Sequence, residues 1–199
     1  MTYELITALA AFAFVSTITP GPNNLMLLSS GANFGFQRTI PHMLGVALGF
    51  VFMLILVGIG LIKIFETYPL SKDILKVISI VYLAYLAFKI SIAATPLQEI
   101  EHKPSPLTFL QAAMFQWVNP KAWTMALTAI SVYSPARSIE TIAVIALIFG
   151  LVNLPSVSLW TILGLKLRRW LTNYKRLRIF NFTMAGMLLC SLYPVITTG

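Results

Sequence analysis

The chain has 199 residues, 58% hydrophobic and only 10% charged, where a soluble domain carries roughly a quarter charged. That balance describes an integral membrane protein and excludes a soluble globular one. The formal net charge of +8 would point to nucleic acid in a soluble chain, but here basic residues read first as topology signals at helix ends, so no nucleic-acid partner is expected.

Apolar runs of roughly 20 residues, long enough to cross about 30 Å of hydrocarbon, occur at six places. They run from Leu5 to Ser30, Pro41 to Ile64, Ile74 to Ala94, Leu107 to Val132, Ile139 to Leu163 and Ile179 to Ile196. The start "MTYEL" has no basic residue before Arg38, so it lacks the positive region of a cleaved signal and the first run is expected to stay in the mature protein. Polar connections such as "FETYPLSKD" and "TPLQEIEHKPSP" mark the helix ends.

The first span is interrupted by "TITPGPNNLML", Thr17 to Leu27. Pro20 and Pro22 lack backbone donors, and Gly21 permits angles that other residues resist. The carbonyl and amide groups left unpaired would cost several kcal/mol each in lipid, so the break must face protein, water or a solute. The fourth span carries a counterpart, "FQWVNPKAWTM", Phe115 to Met125. The two breaks fall at matching places in halves of about 1–100 and 101–199. Three spans per half make the halves enter the membrane in opposite senses, as in an inverted-topology repeat. A weaker correspondence joins "GVALGF" in the second span to "IFGLVN" in the fifth. The expected architecture is therefore a single all-α transmembrane domain of six helices in two inverted repeats, with the first and fourth helices broken.

The candidate solute-binding residues are those of the two breaks: Pro20, Gly21, Pro22, Asn23, Asn24, Gln116, Asn119, Pro120 and Lys121. Amides at a half-helix N-terminus favour an anion and carbonyls at a C-terminus favour a cation, so two opposed breaks suit a zwitterion. Asn23 and Asn119 could cap their half-helices, bind solute, or do both. Lys121 could contact a carboxylate, donate to the carbonyls freed by Pro22, or snorkel outward. The glycine pairs Gly31/Gly35 and Gly45/Gly49 read as close-packing faces between helices, and could equally serve a homodimer. His42 sits near a predicted span end, where an interfacial polar role is the ordinary expectation.

The connections after the first, third and fifth spans hold most of the Lys and Arg residues, which puts both termini outside the cytoplasm. Much of that bias comes from "KLRRWLTNYKRLR", read as a connection lying against anionic lipid. Cys190 stands alone, so there is neither an internal disulfide nor a CxxC pair, and a thiol-handling or metal-handling membrane protein is disfavoured. No buried nucleophile and base, phosphate-binding loop, metal cluster or cofactor motif appears, so neither an enzyme nor a resident cofactor is expected.

With "TPGPNN" in the first span and "VNPK" in the fourth, the chain resembles the LysE/RhtB family of bacterial amino-acid exporters over essentially its whole length. "TPGPNNLMLLSSGANFGF" is most similar to the branch exporting cysteine and O-acetylserine. The resemblance implies an inner-membrane exporter of small amino acids, driven by an ion gradient, that rocks one half against the other. Carried over by motif are Pro20, Gly21, Pro22 and Asn23, then Asn119, Pro120 and Lys121. Many relatives carry aspartates where this chain has Phe50 and Asn153, so no carboxylate falls in mid-span here. That departure keeps an uncoupled facilitator or channel open as the alternative.

Overall fold

The computed structural model describes residues 1–61, 63, 67–68, 70–93, 105–134 and 138–193. The regular structure among these residues is entirely helical. The helices are α1 (Tyr3–Ile18), α2 (Pro22–Phe34), α3 (Phe36–Leu56), α4 (Leu70–Ile92), α5 (Phe109–Val118), α6 (Pro120–Tyr133), α7 (Ile139–Arg168) and α8 (Tyr174–Cys190). A wider turn, Val57–Leu61, extends α3 and ends where Gly60 takes φ 116°.

Among the described residues, three helices are long and apolar enough to cross a membrane: Phe36–Leu61, Asp73–Ser91 and Ile139–Arg168. A fourth is made by α1 and α2 together, bent by 54° at their break. Phe14, Phe52, Val81, Phe88, Met114, Leu147 and Leu151 leave their apolar side chains exposed along the helices, the surface expected of a protein whose outer solvent is lipid.

Chain chemistry explains most helix ends. Thr108 and Gln111 form a capping box at the start of α5, and Ser138 accepts from Thr141 N at the start of α7, each occupying a first-turn amide. After both interruptions the helix restarts on proline, Pro22 and Pro120, where the missing N–H costs nothing. The tight join of α2 to α3 is made by Gly35 at φ 84°, a conformation that a side chain resists.

Helix boundaries differ from the sequence expectation in two instructive places. The basic stretch read as a connection is largely helix: α7 runs on to Arg168 and α8 starts at Tyr174. Snorkelling side chains let helix continue through an interface where hydropathy already signals an end. His42 is not an exposed helix-end group either; it lies inside α3 and is only 1% exposed. Arg137, His102 and Lys103, the latter two within "TPLQEIEHKPSP", lie outside the described residues.

The glycine faces are consumed internally. A side chain at Gly31 would collide with the backbone of Thr161, and one at Gly164 with the backbone of Leu28 and Ala32, so α2 and α7 touch main chain to main chain. Gly45 and Gly49 bring α3 equally close to Phe109, Ala112 and Ala113 of α5. Around these contacts α3 also packs on α7, α1 on α7, and α4 on α8. One apolar cluster, including Leu27, Val46, Phe115 and Leu188, sits to one side of the breaks; a second, including Phe50, Ala126 and Phe149, sits to the other.

Gly31→Val should lower the stability of the detergent-purified protein by about 1–3 kcal/mol through overpacking, read as a fall in melting temperature. Gly186→Ala, which meets nothing within 4 Å, serves as control and should leave it unchanged or raise it. Coincident melting curves for Gly31→Val and the parent would disprove the α2–α7 backbone contact.

Candidate functional site

The site is built from the unpaired main chain that proline creates. Helix α1 stops at Ile18 and the next backbone donor in helical register is missing at Pro22, so the carbonyls at the end of α1 have no successors to bond. Side chains take their place. Thr17 O accepts from Asn24 Nδ2 at 2.7 Å and from Ser156 Oγ at 2.9 Å. Ile18 O, the carbonyl that Pro22 deprives, accepts from Trp160 Nε1 at 3.0 Å. Thr19 O accepts from Lys121 Nζ at 2.7 Å and Asn24 Nδ2 at 2.8 Å, and Lys121 Nζ reaches Pro20 O at 3.4 Å.

Lys121 thus performs one of the roles open to it from sequence: it donates to the freed carbonyls, and additionally to Thr19 Oγ1 at 2.8 Å. Its ammonium sits against the negative end of α1, roughly half an elementary charge. Gly21 has φ −176° and ψ 176°, an extended conformation open to any residue, so backbone freedom is not why glycine stands there. A Cβ at Gly21 would lie 2.7 Å from Lys121 Cδ, so a larger residue there would displace the lysine chain from its present path.

The second break is joined to the first by side chains. Asn119 ends α5, starts α6 and accepts from Lys121 N at 3.1 Å. Asn23 Nδ2 donates to Gln116 Oε1 at 2.8 Å, Gln116 Nε2 returns a bond to Asn23 Oδ1 at 3.2 Å, and the same amide donates to Ala112 O at 2.8 Å. Trp123 Nε1 donates to Trp117 O at 2.7 Å, filling a carbonyl at the end of α5.

These groups surround a narrow cleft of about 30 Å³, room for a water or two in this conformation, so a larger solute enters only when its walls part. Of the nine sequence candidates, Gly21, Asn23, Asn24, Asn119 and Lys121 line it. Gln116 is fully buried behind Asn23. Pro20, Pro22 and Pro120 act through the backbone they interrupt rather than as walls. Completing the lining are Ser16, Thr17, Val46, Phe50, Ala122, Met125 and Asn153.

Asn153 enters the sequence reading only as a replaced acid. It is 6% exposed, faces the cleft, and its carboxamide has no hydrogen-bond partner among the described residues. Beside it the N-terminus of α2 carries no side-chain cap. Sequence alone does not pick out Ser156, and it reads Trp160 as a packing or cavity-lining aromatic rather than as a donor to a freed carbonyl, although both follow Pro155 in a largely apolar span.

A helical membrane protein whose polar cleft lies where two interrupted helices meet has the architecture of a solute translocator. The chain belongs to the LysE type translocator family, whose model matches residues 14–192, and is a transporter rather than an enzyme. It is similar to the cysteine/O-acetylserine efflux protein of Salmonella choleraesuis (strain SC-B67), 27% identical over 179 residues covering 88% of this chain and 90% of the relative. The protein of the same description from Escherichia coli (strain K12) is 26% identical over the same shares. No solved structure matches the chain.

Because Asn24 and Ser156 both serve Thr17 O, removing either leaves one donor in place. The double variant Asn24→Ala/Ser156→Ala should lose about 1–3 kcal/mol more stability than the two single losses added together, since only then is a buried carbonyl orphaned. Melting of the four proteins in one detergent measures this, and simple additivity would show that the two donors do not share an acceptor.

Proposed function

We propose that the chain exports a small neutral amino acid or close derivative, of the cysteine and O-acetylserine class, across the bacterial inner membrane, driven by an ion gradient. The observation that carries the reading is the cleft itself. One side of its wall offers the uncapped α2 N-terminus and the Lys121 ammonium, where a carboxylate gains most. Asn153 and Asn119 offer carboxamides that can accept from a substrate ammonium. The names of the relatives, cysteine/O-acetylserine efflux proteins, support the same substrate class.

In this reading Asn23, Asn24, Asn119, Lys121 and Asn153 touch the substrate. Pro20, Gly21, Pro22, Gln116 and Pro120 hold the breaks in the shape that lets them. The membrane arrangement is six spans in two oppositely oriented halves, residues 1–100 and 101–199, with α1–α2 and α5–α6 as the broken pairs. Supporting it are the matched breaks at Pro20 and Pro120 and the reciprocal packing of α3 on α5 and of α7 on α1. Both termini lie in the periplasm, from the weight of Lys and Arg in the odd-numbered connections. The basic turn around Arg169 and Trp170 lies against cytoplasmic-leaflet lipid.

In vesicles of purified protein loaded with radiolabelled cysteine or O-acetylserine, Asn153→Ala should raise the apparent KM at least about tenfold, the loss of roughly 1.4 kcal/mol. Lys121→Met should reduce efflux further, because it removes both a substrate contact and the cap on α1. Full transport by both variants would take the substrate out of this cleft. The missing mid-span carboxylates favour a second reading, an uncoupled facilitator. Accumulation against a gradient that collapses with protonophore supports the exporter; equilibration without accumulation supports the facilitator.

A further inference from the structure

A second cavity lies on the other side of the α2–α3 pair. Its volume is about 440 Å³, and it is bounded by α2, α3, α4 and the approach to α5. Its rim includes Phe34, Ala93, Ser105 and Pro106, at the ends of α2 and α4 that adjoin the first and third connections. Under the proposed topology this is the cytoplasmic side.

His42 forms part of the wall of this cavity. It is 1% exposed, and both Nδ1 and Nε2 are buried without a hydrogen-bond partner among the described residues. The neighbouring polar groups are otherwise engaged: Ser30 and Thr39 bond each other at 2.9 Å, and Thr39 donates to Gly35 O at 2.8 Å. A buried polar group left unpaired costs about 1–3 kcal/mol. Such an imidazole in the core of a membrane protein calls for a state of the molecule in which its nitrogens are used.

Its position supplies one. His42, Val46 and Phe50 follow each other at four-residue spacing on the buried face of α3, and Val46 and Phe50 line the substrate cleft. One helical turn, about 6 Å, therefore separates His42 from the cleft. On α2 a similar step separates Asn23, in the cleft, from Met26, in the cavity. The titratable groups facing His42 across the cavity come from α4: Lys89, partly buried, and Tyr85. The described residues of α2 and of the approach to α5 contribute only Ser29, Ser30 and Ser105 as polar groups. On α3 itself Arg38 is exposed one turn away.

We propose that His42 is the proton-binding site of the transport cycle, loaded through this cavity and exchanged against substrate in the adjoining cleft. This rests on the reading of the chain as an ion-driven exporter. A histidine in contact with water exchanges its proton near physiological pH, so His42 loads when the cavity opens to water, a role that suits a chain without a mid-span carboxylate. An imidazolium here faces the Lys89 ammonium at reduced dielectric, and their repulsion favours the state in which α4 draws away from α3 and water fills the cavity. Loss of the proton lets the apolar wall close again, as in the conformation described, where water does not reach either nitrogen.

The test uses the full-length protein in vesicles containing a trapped pH-sensitive dye. The parent is expected to move protons when a cysteine or O-acetylserine gradient is applied. His42→Gln is expected to lose that proton flux and at least tenfold of pH-gradient-driven accumulation, while counterflow of labelled substrate persists and shows the variant folded. Lys89→Met, in the cavity wall and less demanding of folding, is expected to shift the pH profile of accumulation. Unaltered proton flux in His42→Gln overturns the proposal alone, as does an unmoved Lys89→Met profile if His42→Gln cannot be purified. Absence of substrate-driven proton flux in the parent overturns the ion-driven reading as well.

Discussion

The structure depends on satisfying the carbonyl end of α1. Four consecutive carbonyls, Thr17 to Pro20, point where no helix continues, and each is met by a side chain from elsewhere in the chain. Those donors come from α2, α6 and α7, so a local defect in one helix becomes the point at which three others are fastened. The cost of leaving such groups unpaired away from water is several kcal/mol in total, comparable with the net stability of a small domain. The break is thus a fastening as much as a weakness.

The same fastening shapes the cleft. Lys121 must cross Gly21 to reach Thr19 O, which leaves the α2 N-terminus open and places a cation beside it. Asn23 is turned toward the cleft wall by its amide pair with Gln116, and Asn119 is committed by its bond to Lys121 N. Asn153 alone among the lining carboxamides has no bond within the described residues. Under the proposed function, a substrate entering once the walls part meets groups whose positions are already held, so little further side-chain ordering is left for binding.

The breaks are legible in the sequence because proline and glycine inside a long apolar run disrupt any helix that contains them, and their repetition a hundred residues later locates the counterpart. The donors that answer them are less legible. Asn24 and Lys121 stand out because they adjoin the breaks; Ser156 and Trp160 lie about 140 residues away from the carbonyls they serve, and periodicity carries no information about such distant pairs. His42 misleads for a related reason: hydropathy begins the second span at Pro41, whereas α3 begins at Phe36, and the extra turn of helix carries a boundary residue into the core. The purpose of Gly21 is also hidden, since crowding by Lys121 is a fact of tertiary structure.

The glycine contacts bear on which segments of the molecule can move. Gly31 with Thr161, and Gly164 with Leu28, lock α2 to α7; Gly45 and Gly49 lock α3 to α5. Each of these contacts joins one chain half to the other, so rocking residues 1–100 as a body against 101–199 would have to pull open both backbone-to-backbone seams at once. The α4–α8 pair is held differently. It meets the rest through aliphatic side chains such as Leu83, Leu86 and Leu188, through the reciprocal amide pair of Asn33 with Asn181, and through the bond that Tyr82 donates to Gln111 O. Interfaces of flexible aliphatic side chains slide at lower cost than seams in which main chain meets main chain, because rotamers readjust where backbone cannot. A displacement of α4 and α8 against the core of α2, α3, α5 and α7 leaves both backbone seams closed and costs, besides aliphatic packing, the Asn33–Asn181 and Tyr82–Gln111 bonds. In the proposed cycle that displacement opens the cavity beside His42 while leaving the capped end of α1 intact.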